Sequence, residues 1–235
     1  MMRLYIIRHA DPDYPNNTIT PAGHLEAAAL GQRMAKLGLD RIYSSPLGRA
    51  IHTMRYTAEA TGLASSIEQW TAEISDCSIE IEPWGRQAVW DVPGESVRAE
   101  RPYVTAENWH THELFVNPIY RSTFERIGRD SDAFLARHGY VREGGRYRID
   151  RGNREKIAVF CHGGFGLWWL AHLLELPLPL VWTGFHLPPS SVTTVLFDER
   201  SEQWAVPRCI GAGDVSHLYA AGLPTATAGI KANVD

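Results

Sequence analysis

The chain has 235 residues, 44% of them apolar and 21% charged, and a formal net charge of −4. Those values fit one large globular domain, expected to span residues 1–235, and exclude bulk electrostatic attraction to nucleic acid or an anionic membrane. The three cysteines, Cys77, Cys161 and Cys209, are odd in number and widely spaced, which excludes a disulfide framework and points to a reducing compartment. Met1-Met2-Arg3 runs at once into a strand pattern, so no leader is expected and the cytoplasm is the expected location. The most apolar stretch, Phe165 to Phe185, is interrupted by His172, Glu175, Pro177 and Pro179, against a membrane span.

In chain order, Leu4-Tyr5-Ile6-Ile7 reads as a buried strand running into Arg8-His9, and Asp11 to Asn17 as the loop that follows. Thr20 is an N-cap with Pro21 at the first helical position, Ala22 to Leu37 is a helix, and Gly38 stops it. Ile42-Tyr43-Ser44 reads as a strand end, with a helix from Ser45-Pro46-Leu47-Gly48-Arg49-Ala50 to about Thr61. Ile67 to Ile74 reads as a third strand. The order βαβαβ implies parallel pairing through helical crossovers.

From Cys77 to Asn153 the character changes, with Trp84, Trp90, Trp109 and four prolines, a helical stretch over 118–138 and a hairpin about Gly144-Gly145. This 77–153 stretch is expected to be an insertion, mixed helix and hairpin, capping one edge of the core. The core resumes with the strand Lys156 to Cys161, His162-Gly163-Gly164, and a deeply buried helix from Phe165 to Glu175. Strands over 191–197 and 203–207 follow, and the tail beyond Leu223 reads as a mobile end.

Two core strands thus end in histidine, His9 and His162, and Arg49 follows a third. Residues leaving parallel strands at one edge face a common cleft. Two guanidinium forks, two imidazoles and helix N-termini there suit a tetrahedral dianion, which the backbone N–H groups at Gly163-Gly164 are expected to approach closely.

Arg8-His9, Thr20-Pro21-Ala22-Gly23, Ser44-Ser45-Pro46-Leu47-Gly48-Arg49-Ala50 and His162-Gly163-Gly164, in that order and spacing, resemble the histidine phosphatase superfamily. This is the phosphoglycerate mutase-like group, also called the histidine acid phosphatase clan. The resemblance implies an α/β three-layer sandwich, with a mostly parallel central sheet flanked by helices. It also implies metal-free, cofactor-free phosphoryl transfer from a small phosphorylated substrate. His9 is then the nucleophile; Arg8, Arg49 and His162, with Gly163, hold the phosphate; and a carboxylic acid protonates the leaving group. Glu73 is the foremost candidate for that acid, with Asp76, Glu80 and Glu82 as rivals. Ala10 stands where the family usually has Gly. Asn16 or Asn17 is the nearest substitute for a missing amide donor, Asn16 being the one assigned to phosphate.

The segment after Glu73 lacks the mutase-type Asn-Glu-Arg-His-Tyr-Gly run, so a phosphatase is expected ahead of a mutase-type phosphotransferase. A protein-phosphohistidine or phosphotyrosine phosphatase and a non-catalytic phospholigand-binding protein rank behind both. Oligomeric state is open, a homodimer included. Among the remaining polar residues, His110 and His112 form an alternating pair with no carboxylate or Cys at useful spacing for a metal. His24, His52, His138 and His172 sit on helices and read as structural. The same reading is preferred for His186 and His217, and a solvated face for Arg98, Arg101 and Arg121.

Overall fold

A computed structural model describes residues 1–99 and 101–230. The first half alternates as the hydrophobic pattern requires: β1 (Arg3–Arg8), the short pair β2 (Pro12–Asp13) and β3 (Thr18–Ile19), α1 (Pro21–Leu37), β4 (Arg41–Ser44), α2 (Gly48–Thr61) and β5 (Ser65–Ile67). A small hairpin, β6 (Ser78–Ile81) and β7 (Gly85–Ala88), and the short α3 (Gly94–Arg98) come next. They are followed by α4 (Pro118–Arg137) and a second hairpin, β8 (Tyr140–Glu143) and β9 (Arg146–Ile149). The last third holds β10 (Lys156–Cys161), α5 (Gly163–Leu174), α6 (Leu178–Trp182), β11 (Val192–Glu199), β12 (Trp204–Asp214) and α7 (Ser216–Ala220).

The central eight-stranded sheet has the order β5-β4-β10-β1-β11-β12-β9-β8. Strands β5, β4, β10 and β1 pair in parallel, whereas β11, β12, β9 and β8 add on antiparallel, so all but β11 and β9 run the same way. The expected mostly parallel α/β sheet flanked by helices is what the chain forms. Alternation along the central strands serves both faces. Leu4 and Ile6 of β1 with Ile157 and Val159 of β10 join the core under α4 and α5, while Tyr5, Ile7, Ala158 and Phe160 face Leu30, Met34 and Met54 of α1 and α2. Thr20 caps α1 by accepting from the Gly23 amide, and Gly38 ends it in a left-handed conformation.

Two expectations change. The third strand ends at Ile67 rather than Ile74, because the chain leaves the sheet to bury Trp70 against Phe134, Phe165 and Trp169. That turn carries Glu73 off the sheet. The 77–153 stretch also divides. The part around Ala88 to Gly94 walls the cleft, but β8–β9 extends the central sheet through β12. Tyr140 and Tyr147 stack there on Phe197, and α4 docks on α5, where the Trp169 indole donates to Ser131 at 2.7 Å. The hairpin joins the sheet because its tyrosines complete the core on that side.

Among the described residues no helix is long and apolar enough to cross a membrane. At Gly23 the α1 backbone presses on the loop after β1, and an added Cβ would lie 2.5 Å from the Asp11 carbonyl oxygen. Gly23→Ala is therefore expected to cost about 1–3 kcal/mol, read as a lower denaturant midpoint with an unchanged slope.

Candidate active site

The cleft opens at the carboxyl edge of β1, β10 and β4, where β1 delivers Arg8 and His9, β10 delivers His162, and the β4–α2 turn delivers Ser45 and Arg49. The backbone fixes this edge tightly. His9 N–H donates to the Cys161 carbonyl at 2.9 Å, the Ser190 amide donates to the His9 carbonyl at 3.0 Å, and the Ala10 amide donates to Thr53 Oγ1 at 2.9 Å.

His9 is 1% exposed, and its Nδ1 lies 2.8 Å from the Ala10 carbonyl oxygen. A carbonyl only accepts, so Nδ1 carries the proton and Nε2 keeps its lone pair. Burial, then the Arg8 charge, holds the His9 pKa well below the ordinary histidine value. Neutral His9 with a free Nε2 is a nucleophile in its reactive form.

His162 lies beside it, with ring centroids 5.2 Å apart. Its Nε2 is 2.7 Å from Ser45 Oγ, which already accepts from the Leu47 amide at 3.2 Å. The Ser45 hydrogen is thus free to go to His162 Nε2, which leaves the ring proton on Nδ1. That Nδ1 is buried and has no partner. Burial and the neighbouring His9 and Arg49 keep the His162 pKa well below its usual value as well.

Arg8 is 5% exposed, and its Nη1 donates to the Leu187 carbonyl at 2.6 Å and its Nη2 to the Ala228 carbonyl at 3.0 Å. Arg49 Nη1 donates to Asn17 Oδ1 at 3.1 Å, and its guanidinium lies 5.5 Å from the centre of the Tyr14 ring. The Nε of each arginine is buried without a partner. Arg8 Nε, Arg49 Nε and His162 Nδ1 are therefore unmet donors at the cleft that also holds His9, a donor set suited to a phosphoryl group.

Glu73 lies on the cleft wall, accepting from the Phe165 amide at 2.7 Å and the Gly164 amide at 3.2 Å at the N-terminus of α5. Burial raises its pKa, outweighing the Phe165 and Ile74 amides and the Arg49 and Arg8 charges that lower it. A carboxyl group whose pKa is raised by burial even beside two arginines is suited to proton transfer. A Cβ at Gly164 would lie 2.8 Å from Glu73 Oε1 and 2.6 Å from the Trp90 ring, so only glycine admits both side chains there.

The sequence-derived set Arg8, His9, Arg49, Glu73, His162 and Gly163 comes together at this cleft. Asp76, Glu80 and Glu82 are exposed and lie off its wall. Asn16 is corrected: its amide and side chain both bond Asp13 in an exposed turn, and Asn17, with φ +49°, is the residue turned toward Arg49. The Gly164 amide is likewise spent on Glu73 and not left for an anion. The tail reading is corrected for residues 224–230, since Ala228 bonds Arg8 and Gly229 and Ile230 line the cleft, while 231–235 lie outside the described residues.

Tyr14, Ser45 and Ala228 are the residues to which sequence reasoning gave no role at the site, and Asn17 was named only as the alternative to Asn16. His110 lies beside Arg121 Nη1, and His112 Nδ1 accepts from the Leu114 amide. Among the described residues no group of three or more His, Cys, Asp or Glu side chains is placed to hold a metal ion. His186 lines the cleft, whereas His217 is buried against Ser190 and Arg33.

Residues 4–83 match the family model described as the histidine phosphatase superfamily (branch 1). A putative phosphoserine phosphatase 2 from Hydrogenobacter thermophilus is 31% identical over 84 residues, which cover 32% of this chain and 41% of that protein. A probable phosphoglycerate mutase GpmB from Citrobacter koseri is 24% identical over 95% of this chain and 98% of its own. Among solved structures, a phosphoserine phosphatase from Entamoeba histolytica superposes with a TM-score of 0.61 at 18% identity, covering 93% of this chain and all of that one. YhfR from Bacillus stearothermophilus does so with a TM-score of 0.59 at 17% identity, over 93% and 100% of the two chains.

Ser45→Ala removes the group that sets the His162 tautomer. It is expected to lower kcat/KM for a phosphomonoester by about tenfold to a hundredfold, the equivalent of one misdirected buried hydrogen bond. Steady-state kinetics on the folded variant, with unchanged circular dichroism, checks this.

Proposed function

We propose that this chain, whose residues 4–83 match the histidine phosphatase superfamily model, belongs to that family and is a metal-independent phosphatase that hydrolyses small phosphomonoesters through a phosphohistidine on His9. The observation that carries the reading is the ring of buried, unpartnered donors about a neutral imidazole whose Nε2 is free. A structural cluster would satisfy those donors within the protein.

In the first step His9 Nε2 attacks phosphorus in line, and the bond from phosphorus to the ester oxygen breaks. Arg8, Arg49 and His162 Nδ1–H neutralise the non-bridging oxygens as charge shifts onto them. Glu73 gives its proton to the departing alkoxide. In the second step water attacks the phosphohistidine, the N–P bond breaks, and the Glu73 carboxylate takes the proton of the water. Alcohol and phosphate are the products, and both residues return to their starting protonation.

A mutase-type phosphotransferase is the second reading, favoured by the full-length likeness to a probable phosphoglycerate mutase. In that case the phosphohistidine passes its phosphoryl group to a second hydroxyl instead of water. Phosphate release outpacing phosphoryl exchange with an added alcohol supports the hydrolase; the reverse supports the transferase. The net charge of −4 favours a small-molecule role over nucleic-acid binding, and the free Cys77, Cys161 and Cys209 favour a reducing compartment such as the cytoplasm.

His9→Ala is expected to abolish phosphate release from p-nitrophenyl phosphate, with EDTA having no effect on the wild type; full activity in the variant contradicts the mechanism. Glu73→Gln is expected to slow alkyl phosphates by about 10²–10⁴-fold and aryl phosphates far less, because a good leaving group needs no proton.

The pH dependence follows from the same pair. Activity needs His9 unprotonated and Glu73 protonated. His9 has its pKa lowered, so the acid limb lies below the ordinary histidine value; Glu73 has its pKa raised, so activity falls only as pH climbs through that raised value. An optimum on the acid side of neutrality is expected in kcat/KM profiles of an alkyl phosphate. Glu73→Gln should lose the alkaline limb, while titration of the substrate itself is common to both proteins.

A further inference from the structure

We infer that Glu26 is a positioning residue for the nucleophile: its carboxyl group holds the Ala10–Asp11 peptide in the orientation that fixes His9 in its reactive tautomer. The inference rests on the phosphatase reading, in which His9 Nε2 attacks phosphorus, and deepens it.

One peptide unit joins the two side chains. Its carbonyl, on Ala10, accepts from His9 Nδ1 at 2.8 Å, and that bond is what leaves Nε2 with its lone pair. Its N–H, on Asp11, donates to Glu26 Oε2 at 2.9 Å. The carbonyl and N–H of a trans peptide point opposite ways in one plane, so an acceptor that captures the N–H sets the direction of the carbonyl. If that plane turned, His9 Nδ1–H would lose its acceptor in a buried site, and the two tautomers would come closer in energy. The tautomer with its proton on Nε2 has no lone pair for phosphorus. Hydrogen bonds in such a chain also polarise one another, so the Glu26 oxygen strengthens the Ala10 carbonyl as an acceptor.

Glu26 is itself firmly placed. It is 3% exposed on the inner face of α1, three residues beyond Gly23, whose bare α-carbon lets the helix approach Asp11. A glutamate so buried needs partners, and besides the Asp11 amide it takes a hydrogen bond from Ser190. His217 serves that hydroxyl from the other side. Burial lowers the His217 pKa to about 4, so its ring carries one proton. Arg33 Nη1, which only donates, lies 3.3 Å from His217 Nδ1; the proton is therefore on Nε2, 3.2 Å from Ser190 Oγ. The Ser190 hydrogen is then free for Glu26, while the Ser190 amide donates to the His9 carbonyl at 3.0 Å. Glu26 thus reaches the backbone of the nucleophile by two routes, the Asp11 amide and Ser190. Burial raises the Glu26 pKa, but the role needs no charge, since either form of a carboxyl group leaves an oxygen to accept from Asp11.

The test compares Glu26→Gln, which keeps an acceptor oxygen, with Glu26→Met, which keeps the length and loses the acceptor. Histidine-selective ¹⁵N NMR at neutral pH reads the tautomer without substrate, with the His9 signals identified by their loss in His9→Ala. Wild type and Glu26→Gln are expected to carry the His9 proton on Nδ1 alone, and Glu26→Met to show both tautomers. Glu26→Met should lower kcat for a phosphomonoester by about tenfold to a hundredfold with KM little changed, and Glu26→Gln should recover most of that loss. A residue that merely packed α1 would lower stability in Glu26→Met without moving the tautomer. If Glu26→Met does not fold, Glu26→Gln decides alone: the changed acceptor should move the Asp11 N–H and His9 Nδ1–H proton signals in the same direction. An unmoved His9 signal in Glu26→Gln, or an unchanged tautomer in folded Glu26→Met, overturns the inference and leaves the phosphatase reading intact. No turnover of any phosphomonoester by folded wild type overturns the phosphatase reading, and with it the catalytic part of this inference.

Discussion

Two guanidinium groups stand at the sheet edge with no carboxylate among the described residues in contact to neutralise them. Arg8 is spent on two backbone carbonyls and Arg49 on an amide oxygen, while the Nε of each is buried and unmet. Leaving a buried charge without its partner costs about 3–5 kcal/mol. The fold sustains that cost because the sheet over-determines the positions. β1 and β10 are clamped in register from Arg3–Lys156 to Arg8–Cys161, and the loop at Ser190 and Ser191 closes over Arg8 and His9 by main-chain bonds. The core holds these unsatisfied donors in place, and in the proposed mechanism they are met when the phosphate of the substrate binds, as in a preorganised electrostatic site.

The same field sorts the titratable groups. Burial first, and then the neighbouring positive charges, holds His9 and His162 well below the ordinary histidine value, so in the proposed mechanism the nucleophile needs no base. Burial has the opposite effect on the Glu73 carboxyl group and raises its pKa. The N-terminus of α5 then serves as a mount for Glu73. In the proposed mechanism the division of labour between clamp, nucleophile and acid comes from environment, with ordinary side chains in each role.

How much of this the sequence revealed differs by kind of contact. Arg8, His9, Arg49 and His162 were legible because each sits directly after a strand, and a parallel sheet brings strand ends to one edge. Glu73 was legible by position, although the strand expected to carry it stops at Ile67 so that Trp70 can be buried. Asn17 was confused with Asn16 because the choice depends on one left-handed residue in a turn. Ser45 was quoted within a motif but given no role, since a serine hydroxyl shows its partner, His162 Nε2, only in three dimensions. The tail at Ala228 acts through a main-chain carbonyl, 220 positions from Arg8, and main-chain acceptors leave no trace in composition. The β8–β9 hairpin was recognised as a hairpin but assigned to the wrong place, because its partner strand β12 lies far along the chain.

The most direct measurement is rapid acid or alkaline quenching of the enzyme during turnover of a ³²P-labelled phosphomonoester, followed by peptide mapping. Label that survives alkali, is lost in acid and maps to the peptide containing His9 is the predicted result. Steady-state turnover with no covalently bound label under fast-mixing conditions, or label on another residue, would contradict the account.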